Sequence, residues 1–308
     1  MKKCMETDKY TVLVTGACGQ LGYDVMTELV SKGYRGIASG IKASEEVNYY
    51  DEYVQMDITD EKSVSDTLEQ LRPDAVIHCA AWTAVDLAED EENKEKVHLI
   101  NGVGTRNIAL ACKTIDSKMM YISTDYVFDG KGQEPWDPDC EDYAPLSVYG
   151  STKLEGELAV RELLSKFFVV RIAWVFGKNG NNFIKTMLNV GKKYDTLRVV
   201  NDQIGTPTYT IDLAKLLVDM IVTDKYGNYH ATNEGGYISW FDFACEIFRQ
   251  AGYSTNVVPV TTEEYGISKA ARPFNSRLDK SKITKNGFEL LPDWKDALAR
   301  YLKEIDVN

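Results

Sequence analysis

The first half of the chain alternates short apolar runs with longer segments whose apolar residues recur every three or four positions. Short β-branched runs are typical of buried strands, and the periodic segments are typical of amphipathic helices. The pattern predicts strands at residues 10–15, 35–39, 52–57, 74–79, 118–123 and 167–172. Helices are predicted between them, including one over 94–115 and one from about 149 to 165. This alternation predicts an α/β fold with a doubly wound parallel sheet, a Rossmann-like architecture.

The alternation becomes less regular after Trp174. Helical patterns persist over about 183–191, 212–223 and 240–251, with turn-rich segments between them. We predict that residues 174–308 form a smaller C-terminal domain, with a segment near 208–232 returning to the main sheet. Ligands of parallel sheets bind beyond the carboxyl ends of the strands, so residues at those ends are the first candidates for function.

Three glycines at a spacing of three, Gly16, Gly19 and Gly22, directly follow the first predicted strand. Such a turn lets the backbone approach a pyrophosphate, and the helix N-terminus that follows offers free N–H groups to the phosphates. We therefore predict that residues 1–173 form a dinucleotide-binding domain; the alternative is a glycine-rich turn without a ligand. The expected cofactor contacts in this turn are Gly16, Cys18, Gly19, Gln20, Leu21 and Gly22.

Tyr149 and Lys153 lie four residues apart in a helical segment, and residues at this spacing share one helix face. A nearby ammonium lowers the pKa of a phenol, so the pair could donate a proton to a carbonyl oxygen. Thr124 ends the fifth predicted strand at the same sheet edge, where its hydroxyl could bind that oxygen. The alternative is an exposed helix with an incidental Tyr and Lys, and a threonine that satisfies local backbone groups.

The end of the second predicted strand bears on the choice of cofactor. An acidic residue there binds the ribose 2′-OH and favours NAD, but residues 39–44 contain no acid. Lys42, with Ser39 or Ser44, could instead bind a 2′-phosphate, which predicts a preference for NADPH over NADH; the alternative is a solvated loop lysine. Asp57 and Ile58, after the third strand, are expected to flank the adenine.

Composition narrows the class of protein further. The 308 residues are 44% hydrophobic, which suits a sizeable core, and carry a formal net charge of −12. This charge disfavours binding to nucleic acid or to anionic lipid. No apolar run reaches membrane-spanning length, and the N-terminus lacks the apolar core of a secretory signal. Six scattered cysteines without a CxxC pair and three dispersed histidines predict reduced thiols, no metal site and a cytoplasmic location.

Longer motifs cover the chain from Gly16 to Trp294. They read Thr-Ala-Val-Asp at 83–86, Ser-Thr-Asp-Tyr-Val-Phe at 123–128, Pro-Leu-Ser-Val-Tyr-Gly-Ser-Thr-Lys at 145–153, Gly-Asn-Asn-Phe at 180–183, Asn-Asp-Gln-Ile-Gly-Thr-Pro at 201–207, Arg-Pro-Phe-Asn-Ser-Arg at 272–277 and Leu-Pro-Asp-Trp at 291–294. In this order they resemble the dTDP-4-dehydrorhamnose reductase branch of the extended short-chain dehydrogenase/reductase family.

The resemblance implies NAD(P)H-dependent reduction of the C4 ketone of dTDP-4-dehydro-L-rhamnose to dTDP-L-rhamnose, a step in nucleotide-sugar metabolism for cell-wall polysaccharide. It implies that Tyr149 donates the proton, that Lys153 lowers the pKa of Tyr149 and holds the nicotinamide ribose, and that Thr124 orients the C4 oxygen. Further cofactor contacts implied are Ala80, Ala81, Thr83, Tyr149 and Lys153. Substrate contacts implied are Thr83, Val85, Thr124, Asp125, Tyr149, Trp174, Asn182, Phe183, Gln203, Arg272 and Arg277.

Several alternatives stay open at this point. Trp174 could stack on the deoxysugar or belong to the core. Residues 78–82, His-Cys-Ala-Ala-Trp, depart from the family pattern: His78 reads as a structural histidine, and Trp82 could narrow the sugar pocket. A divalent cation such as Mg²⁺ and a homodimer are known in some members and are not demanded here. An epimerase that keeps NAD bound, a reductase of another sugar and a non-catalytic regulatory subunit are the competing functions.

Overall fold

The computed structural model describes residues 9–47 and 49–307. Its strands are β1 Thr11–Thr15, β2 Arg35–Gly40, β3 Tyr53–Gln55, β4 Ala75–His78, β5 Lys118–Thr124, β6 Phe167–Ile172, β7 Val175–Phe176, β8 Thr196–Val200, β9 Ile204–Gly205, β10 Thr208–Tyr209, β11 Gly227–His230, β12 Asn233–Glu234, β13 Ile238–Ser239, β14 Asn256–Val260 and β15 Leu291–Asp293. A seven-stranded sheet has the order β11-β6-β5-β4-β1-β2-β3, and its neighbouring strands are parallel.

Helices cover both faces of this sheet. They are α1 Gln20–Ser31, α2 Glu61–Leu71, α3 Glu91–His98, α4 Gly104–Ile115, α5 Val148–Leu163, α6 Phe183–Gly191, α7 Thr210–Ile221, α8 Trp240–Ala251, α9 Thr262–Tyr265, α10 Ser281–Lys285 and α11 Trp294–Glu304. Val12 and Val14 of β1 belong to the core formed with α1 and α7, whereas Leu13 belongs to the core formed with α2, α4 and α5. The doubly wound sheet predicted from the sequence is therefore confirmed.

The helix predicted over 94–115 differs from the observed structure. It begins at Glu91, and a π-helical turn, Leu99–Val103, separates α3 from α4. Glycines make this turn compact: a Cβ on Gly102 would lie 2.6 Å from the carboxyl carbon of Glu155, and one on Gly104 would lie 2.8 Å from Ile58 Cδ1. A π-helical turn adds only one residue to the spacing of the apolar positions, so the hydrophobic periodicity of the sequence could not reveal this turn.

The second half of the chain contributes to two regions. α7 packs on the same sheet face as α1, and β11 extends the seven-stranded sheet beside β6. The remaining helices α6, α8 and α11 enclose an aromatic core that includes Phe176, Phe243 and Tyr301. None of the helices in residues 9–47 and 49–307 combines the length and the apolar character that a membrane span requires.

Candidate active site

A cavity of about 550 Å³ opens at the carboxyl ends of β1, β2 and β4. Nine of its lining residues are among the predicted cofactor contacts: Gly16, Cys18, Gly19, Ser39, Lys42, Asp57, Ile58, Ala80 and Ala81. Residues that the sequence reasoning missed also line it, namely Thr15, Gly40, Ile41, Tyr53, Met56, Thr59, Cys79, Lys96, Leu99 and Ile100. The cavity therefore lies where a parallel sheet binds its ligand.

The glycine turn brings backbone close to this cavity. Gly16 has φ +64°, and a Cβ there would lie 2.7 Å from the backbone of Ala80, so a side chain is excluded. A Cβ on Gly22 would collide with the Gly16 carbonyl oxygen, which explains the close packing of α1 on β1. No side chain caps α1 at Gly19, so the N–H groups of its first turn receive no side-chain hydrogen bond. A pyrophosphate fits such a turn.

Ser39 supplies an independent sign of a polar ligand. Its side chain lines the cavity, is 0% exposed, and its Oγ has no hydrogen-bond partner within the described residues. A buried hydroxyl without a partner is costly, and a bound ribose or phosphate would satisfy it. Nearby, Tyr53 Oη donates to the Lys42 carbonyl oxygen at 3.0 Å and Gln55 Nε2 donates to that of Ile41 at 3.2 Å, which fixes the loop after β2.

Gln20 and Leu21, also predicted to contact the cofactor, have other side-chain partners in the structure. The Gln20 side-chain oxygen accepts a hydrogen bond from Asn182 Nδ2 at 3.1 Å, and Leu21 belongs to the hydrophobic core. Neither side chain lines the cavity, so these residues and Gly22 can offer a cofactor only their backbone N–H groups. Thr83 and Val85 are also absent from the cavity lining.

A side-chain cap determines where α5, the helix that carries Tyr149 and Lys153, begins. Ser147 Oγ accepts from the Gly150 N–H at 3.1 Å, which starts α5 at Val148 and places Tyr149 in its first turn. One turn later, Lys153 is 3% exposed and its Nζ donates to the Ile122 carbonyl oxygen at 2.6 Å. The same ammonium lies 4.1 Å from the ring centroid of Tyr121.

The protonation of this pair differs from the sequence-based expectation. Burial lowers the pKa of Lys153 to about 7, although the charge of Glu157 acts in the opposite direction. Burial raises the pKa of Tyr149 above its ordinary value, and a hydrogen bond with Thr124 only partly offsets this. In the protein alone, burial outweighs any effect of Lys153 on the pKa of Tyr149, and the Lys153 ammonium is directed at the Ile122 carbonyl oxygen and the Tyr121 ring.

Thr124 and Asp125 complete the group beside Tyr149. Thr124 Oγ1 donates to Asp125 Oδ1 at 3.0 Å and accepts from the Tyr126 N–H at 3.3 Å. Asp125 is 2% exposed, and its Oδ2 has no hydrogen-bond partner within the described residues. Burial raises the pKa of Asp125 to about 6, against hydrogen bonds from Ser276 and Thr124 that lower it. A carboxylate has lone pairs enough to accept a further hydrogen bond, and a sugar hydroxyl could supply it.

Replacing Asp125 with Asn should change how stability depends on pH. The folded-state pKa of Asp125 lies above its ordinary 3.8, so between pH 3.8 and about 6 the folded state binds more protons than the unfolded state. Stability is therefore lost as pH rises through this window, by about 3 kcal/mol for a shift of about two units. Asp24, whose pKa burial also raises to about 6, contributes a similar loss in both proteins. Urea unfolding at pH 4 and pH 7 should therefore show a loss of stability that is about 2–3 kcal/mol larger in the parent protein than in D125N; the same change in stability in both proteins would contradict this prediction.

His78 has the structural role expected from the sequence. It is buried, with Nδ1 at 2.6 Å from Thr15 Oγ1 and Nε2 at 3.1 Å from Thr105 Oγ1. Burial and the nearby Lys153 charge lower the pKa of His78 to about 3. A neutral imidazole with both nitrogens engaged has no proton to give.

Trp174 and Phe183 belong to one aromatic group. The Trp174 ring stacks on Trp240 with centroids 3.7 Å apart, and Phe183 lies 4.6 Å from the same Trp240 ring. Trp174 also has φ +51°, a left-handed conformation that is rare for a bulky side chain and is often found at functional sites. One face of the Trp174 indole is thus committed to packing.

The polar residues expected around the nucleotide are engaged within the protein. Asn182 caps α6 and donates to Gln20, Gly177 and Tyr301. Gln203 Nε2 donates to Thr262 Oγ1 at 3.0 Å.

Both arginines are also paired. Arg272 forms a bidentate pair with Asp86, and Arg277 donates to Asn275 Oδ1 at 3.0 Å. Residues 9–47 and 49–307 contain no group of three or more His, Cys, Asp or Glu side chains placed to hold a metal ion.

Comparison with known proteins identifies the family. The RmlD substrate binding domain family matches residues 10–307. The spore coat polysaccharide biosynthesis protein SpsK of Bacillus subtilis (strain 168) is 40% identical over 95% of this chain and 97% of its own length. The dTDP-4-dehydrorhamnose reductase of Escherichia coli (strain K12) is 36% identical over 96% of this chain and 97% of its own.

A solved structure agrees with these relatives. The dTDP-4-dehydrorhamnose reductase of Bacillus anthracis str. Ames, crystallised in complex with NADP, superposes with a TM-score of 0.86 and is 41% identical. The alignment covers 96% of this chain and 99% of that one. These matches confirm the resemblance seen in the motifs: the chain belongs to the RmlD substrate binding domain family, together with these dTDP-4-dehydrorhamnose reductases.

Proposed function

We propose that this protein is an NADPH-dependent reductase that converts dTDP-4-dehydro-L-rhamnose to dTDP-L-rhamnose. The observation that carries the proposal is the placement of Thr124 at the end of β5 and of Tyr149 and Lys153 on the first turns of α5, at the same sheet edge as the cavity of the glycine turn. The reductases of Escherichia coli and Bacillus anthracis support the reaction, and the NADP complex of the latter supports the cofactor.

The residues of the cavity fit a dinucleotide. The glycine turn and the N-terminus of α1 would hold the pyrophosphate, Ser39 and Lys42 the 2′-phosphate, and Asp57 and Ile58 the adenine side. Lys153 would hold the nicotinamide ribose. When bound, the reduced nicotinamide supplies a hydride; the protein supplies the orientation and the proton.

The protein side of the chemistry follows from the protonation states. Because burial raises the pKa of Tyr149, its phenol is fully protonated at neutral pH and can donate when the C4 oxygen becomes an alkoxide, a stronger base than phenolate. Thr124 can turn its hydroxyl from Asp125 to the same oxygen, so two donors polarise the carbonyl. The phenolate left behind would be stabilised by the cationic form of Lys153, while the Thr124 proton stays on the C4 oxygen. Asp125 Oδ2 would bind a neighbouring sugar hydroxyl.

The remaining assignments belong to this proposal. Residues 174–308, apart from 208–232, would bind the sugar nucleotide, with Thr83, Val85 and Trp174 near the sugar and Asn182, Phe183, Gln203, Arg272 and Arg277 shaping the nucleotide side. Arg272 would have to exchange Asp86 for a diphosphate. The described cysteines are free, which supports a reducing, cytoplasmic location.

The test is turnover of dTDP-6-deoxy-L-lyxo-4-hexulose with NADPH, followed by NMR of the product. We expect one NADPH oxidised per dTDP-L-rhamnose formed, and a higher kcat/KM with NADPH than with NADH. Product formation without net cofactor oxidation would indicate the epimerase, and no turnover of any 4-keto sugar nucleotide would indicate the regulatory subunit. A clear preference for NADH would remove the role given to Ser39 and Lys42.

A further inference from the structure

Trp82 and Lys96 form a pair at the edge of the dinucleotide cavity. Lys96 projects from α3, its side chain lines the cavity, and its Nζ lies 5.7 Å from the centroid of the Trp82 ring. An ammonium over an indole face is attracted by the negative face of the ring. Trp82 follows Ala81, which lines the cavity, so the contact joins this indole to two residues of the cavity wall.

The indole is a fixed platform. The main-chain N–H of Trp82 donates to Asn101 Oδ1 at 2.8 Å, and Asn101 Nδ2 donates to the Trp82 carbonyl oxygen at 3.3 Å. Asn101 is 1% exposed and lies in the π-helical turn after α3. Trp82 Nε1 also donates to the Ala84 carbonyl oxygen at 3.0 Å. These three bonds hold both the backbone and the ring of Trp82.

The charge of Lys96 is not neutralised by a carboxylate within the described residues, whereas Lys94, two positions earlier, pairs with Glu91 at 2.7 Å. The lining of the same cavity includes Lys42 and Ser39, whose buried hydroxyl has no partner within the described residues. One acid, Asp57, also lines the cavity, and its Oδ1 accepts from the N–H and the hydroxyl of Thr59. In a chain of net charge −12, two lysines without carboxylate partners facing one cavity indicate an anionic ligand.

We propose that Lys96, positioned by the indole of Trp82, binds a phosphate of the dinucleotide; this inference rests on the proposed function. Lysine acts toward phosphate as a compact point charge on a flexible stem. The platform restricts that stem before binding, so less side-chain freedom is lost when the ligand arrives. The contact therefore adds to the affinity for the cofactor without taking part in proton transfer.

The test is fluorescence titration of the whole protein with NADPH and with NADH. Lys96→Gln should weaken NADPH binding about tenfold, since one charge-assisted hydrogen bond is lost. Lys96→Arg should keep most of the affinity. Lys94→Gln, on the same helix but outside the cavity, is the matched control and should stay within about twofold.

Comparing NADPH with NADH shows which phosphate Lys96 binds. If K96Q loses affinity for NADPH only, Lys96 binds the 2′-phosphate. If K96Q loses affinity for NADPH and NADH equally, Lys96 binds the pyrophosphate. An affinity of K96Q equal to that of the parent protein would overturn the proposal while leaving the proposed function intact. Failure of the parent protein to bind either dinucleotide would overturn both.

The role of Trp82 is tested separately. Trp82→Leu removes the platform and should weaken NADPH binding about threefold, whereas Trp82→Phe keeps an aromatic face and should bind nearly as well as the parent protein. Combining W82L with K96Q should cost little more than K96Q alone, because the platform acts through the lysine. Full additivity of the two losses would show that Trp82 does not act through Lys96.

Discussion

Replacing Tyr149 with Phe should lower kcat by about 10²–10⁴-fold, the range that a general acid contributes. The change removes only the hydroxyl, which we propose as the proton donor. Cofactor binding should be preserved, because Tyr149 does not line the dinucleotide cavity. Steady-state kinetics with NADPH and the 4-keto sugar nucleotide, together with titration of NADPH binding, measure both quantities.

Tyr194→Phe is the matched control for this substitution. The Tyr194 side chain is well exposed in the segment after α6, and its replacement by Phe removes the same hydroxyl from a residue that is not assigned to the site. Its kinetics should equal those of the parent protein. A Y149F enzyme that retained full kcat would show that another group supplies the proton, and the assignment of the acid would be lost.

Replacing Arg171 with Met should cost about 3–5 kcal/mol in the free energy of unfolding, the range measured when one partner of a buried ion pair is removed. Arg171 binds both carboxylate oxygens of Glu157, at 2.9 and 2.8 Å, and both side chains are 0% exposed. It also donates to the Pro138 carbonyl oxygen and to the Tyr143 hydroxyl. Methionine fills the volume but leaves the Glu157 carboxylate buried without a counter-charge.

Urea unfolding measures this loss, and Arg249→Met is its control. Arg249 also forms a bidentate pair with a glutamate, Glu246, but on the surface, so its replacement should leave the unfolding curve almost unchanged. Because Glu157 lies on α5 one turn after Lys153 and raises the pKa of that lysine, R171M should also alter the pH profile of the reaction. Equal stabilities of R171M and R249M would contradict this account of the buried pair.

The sequence predicted those features that depend on neighbouring residues. The turn at Gly16, Gly19 and Gly22 and the spacing of Tyr149 and Lys153 are local patterns whose geometry is set by a strand, a turn and a helix. The parallel sheet then brings the ends of separate strands to one edge, so Thr124 could be placed without knowledge of the packing.

Features that depend on distant partners could not be predicted in this way. Asn182 donates to Tyr301, 119 residues away, and Arg272 pairs with Asp86, 186 residues away, so motif matches did not show that these groups are already engaged. The pKa of Tyr149 depends on burial by the assembled fold, which a spacing of four does not report. Lys96 belongs to a polar helix with no motif, and only its position over Trp82 reveals it.

A crystal structure of the protein with NADP and dTDP-L-rhamnose tests the central claim most directly. The account predicts that the C4 hydroxyl oxygen of the sugar lies within hydrogen-bond reach, about 2.6–3.2 Å, of both Tyr149 Oη and Thr124 Oγ1. It also predicts that the pyrophosphate lies against the Gly16–Gly19 turn. A sugar whose C4 oxygen is distant from both hydroxyls, or a dinucleotide bound elsewhere, would contradict it.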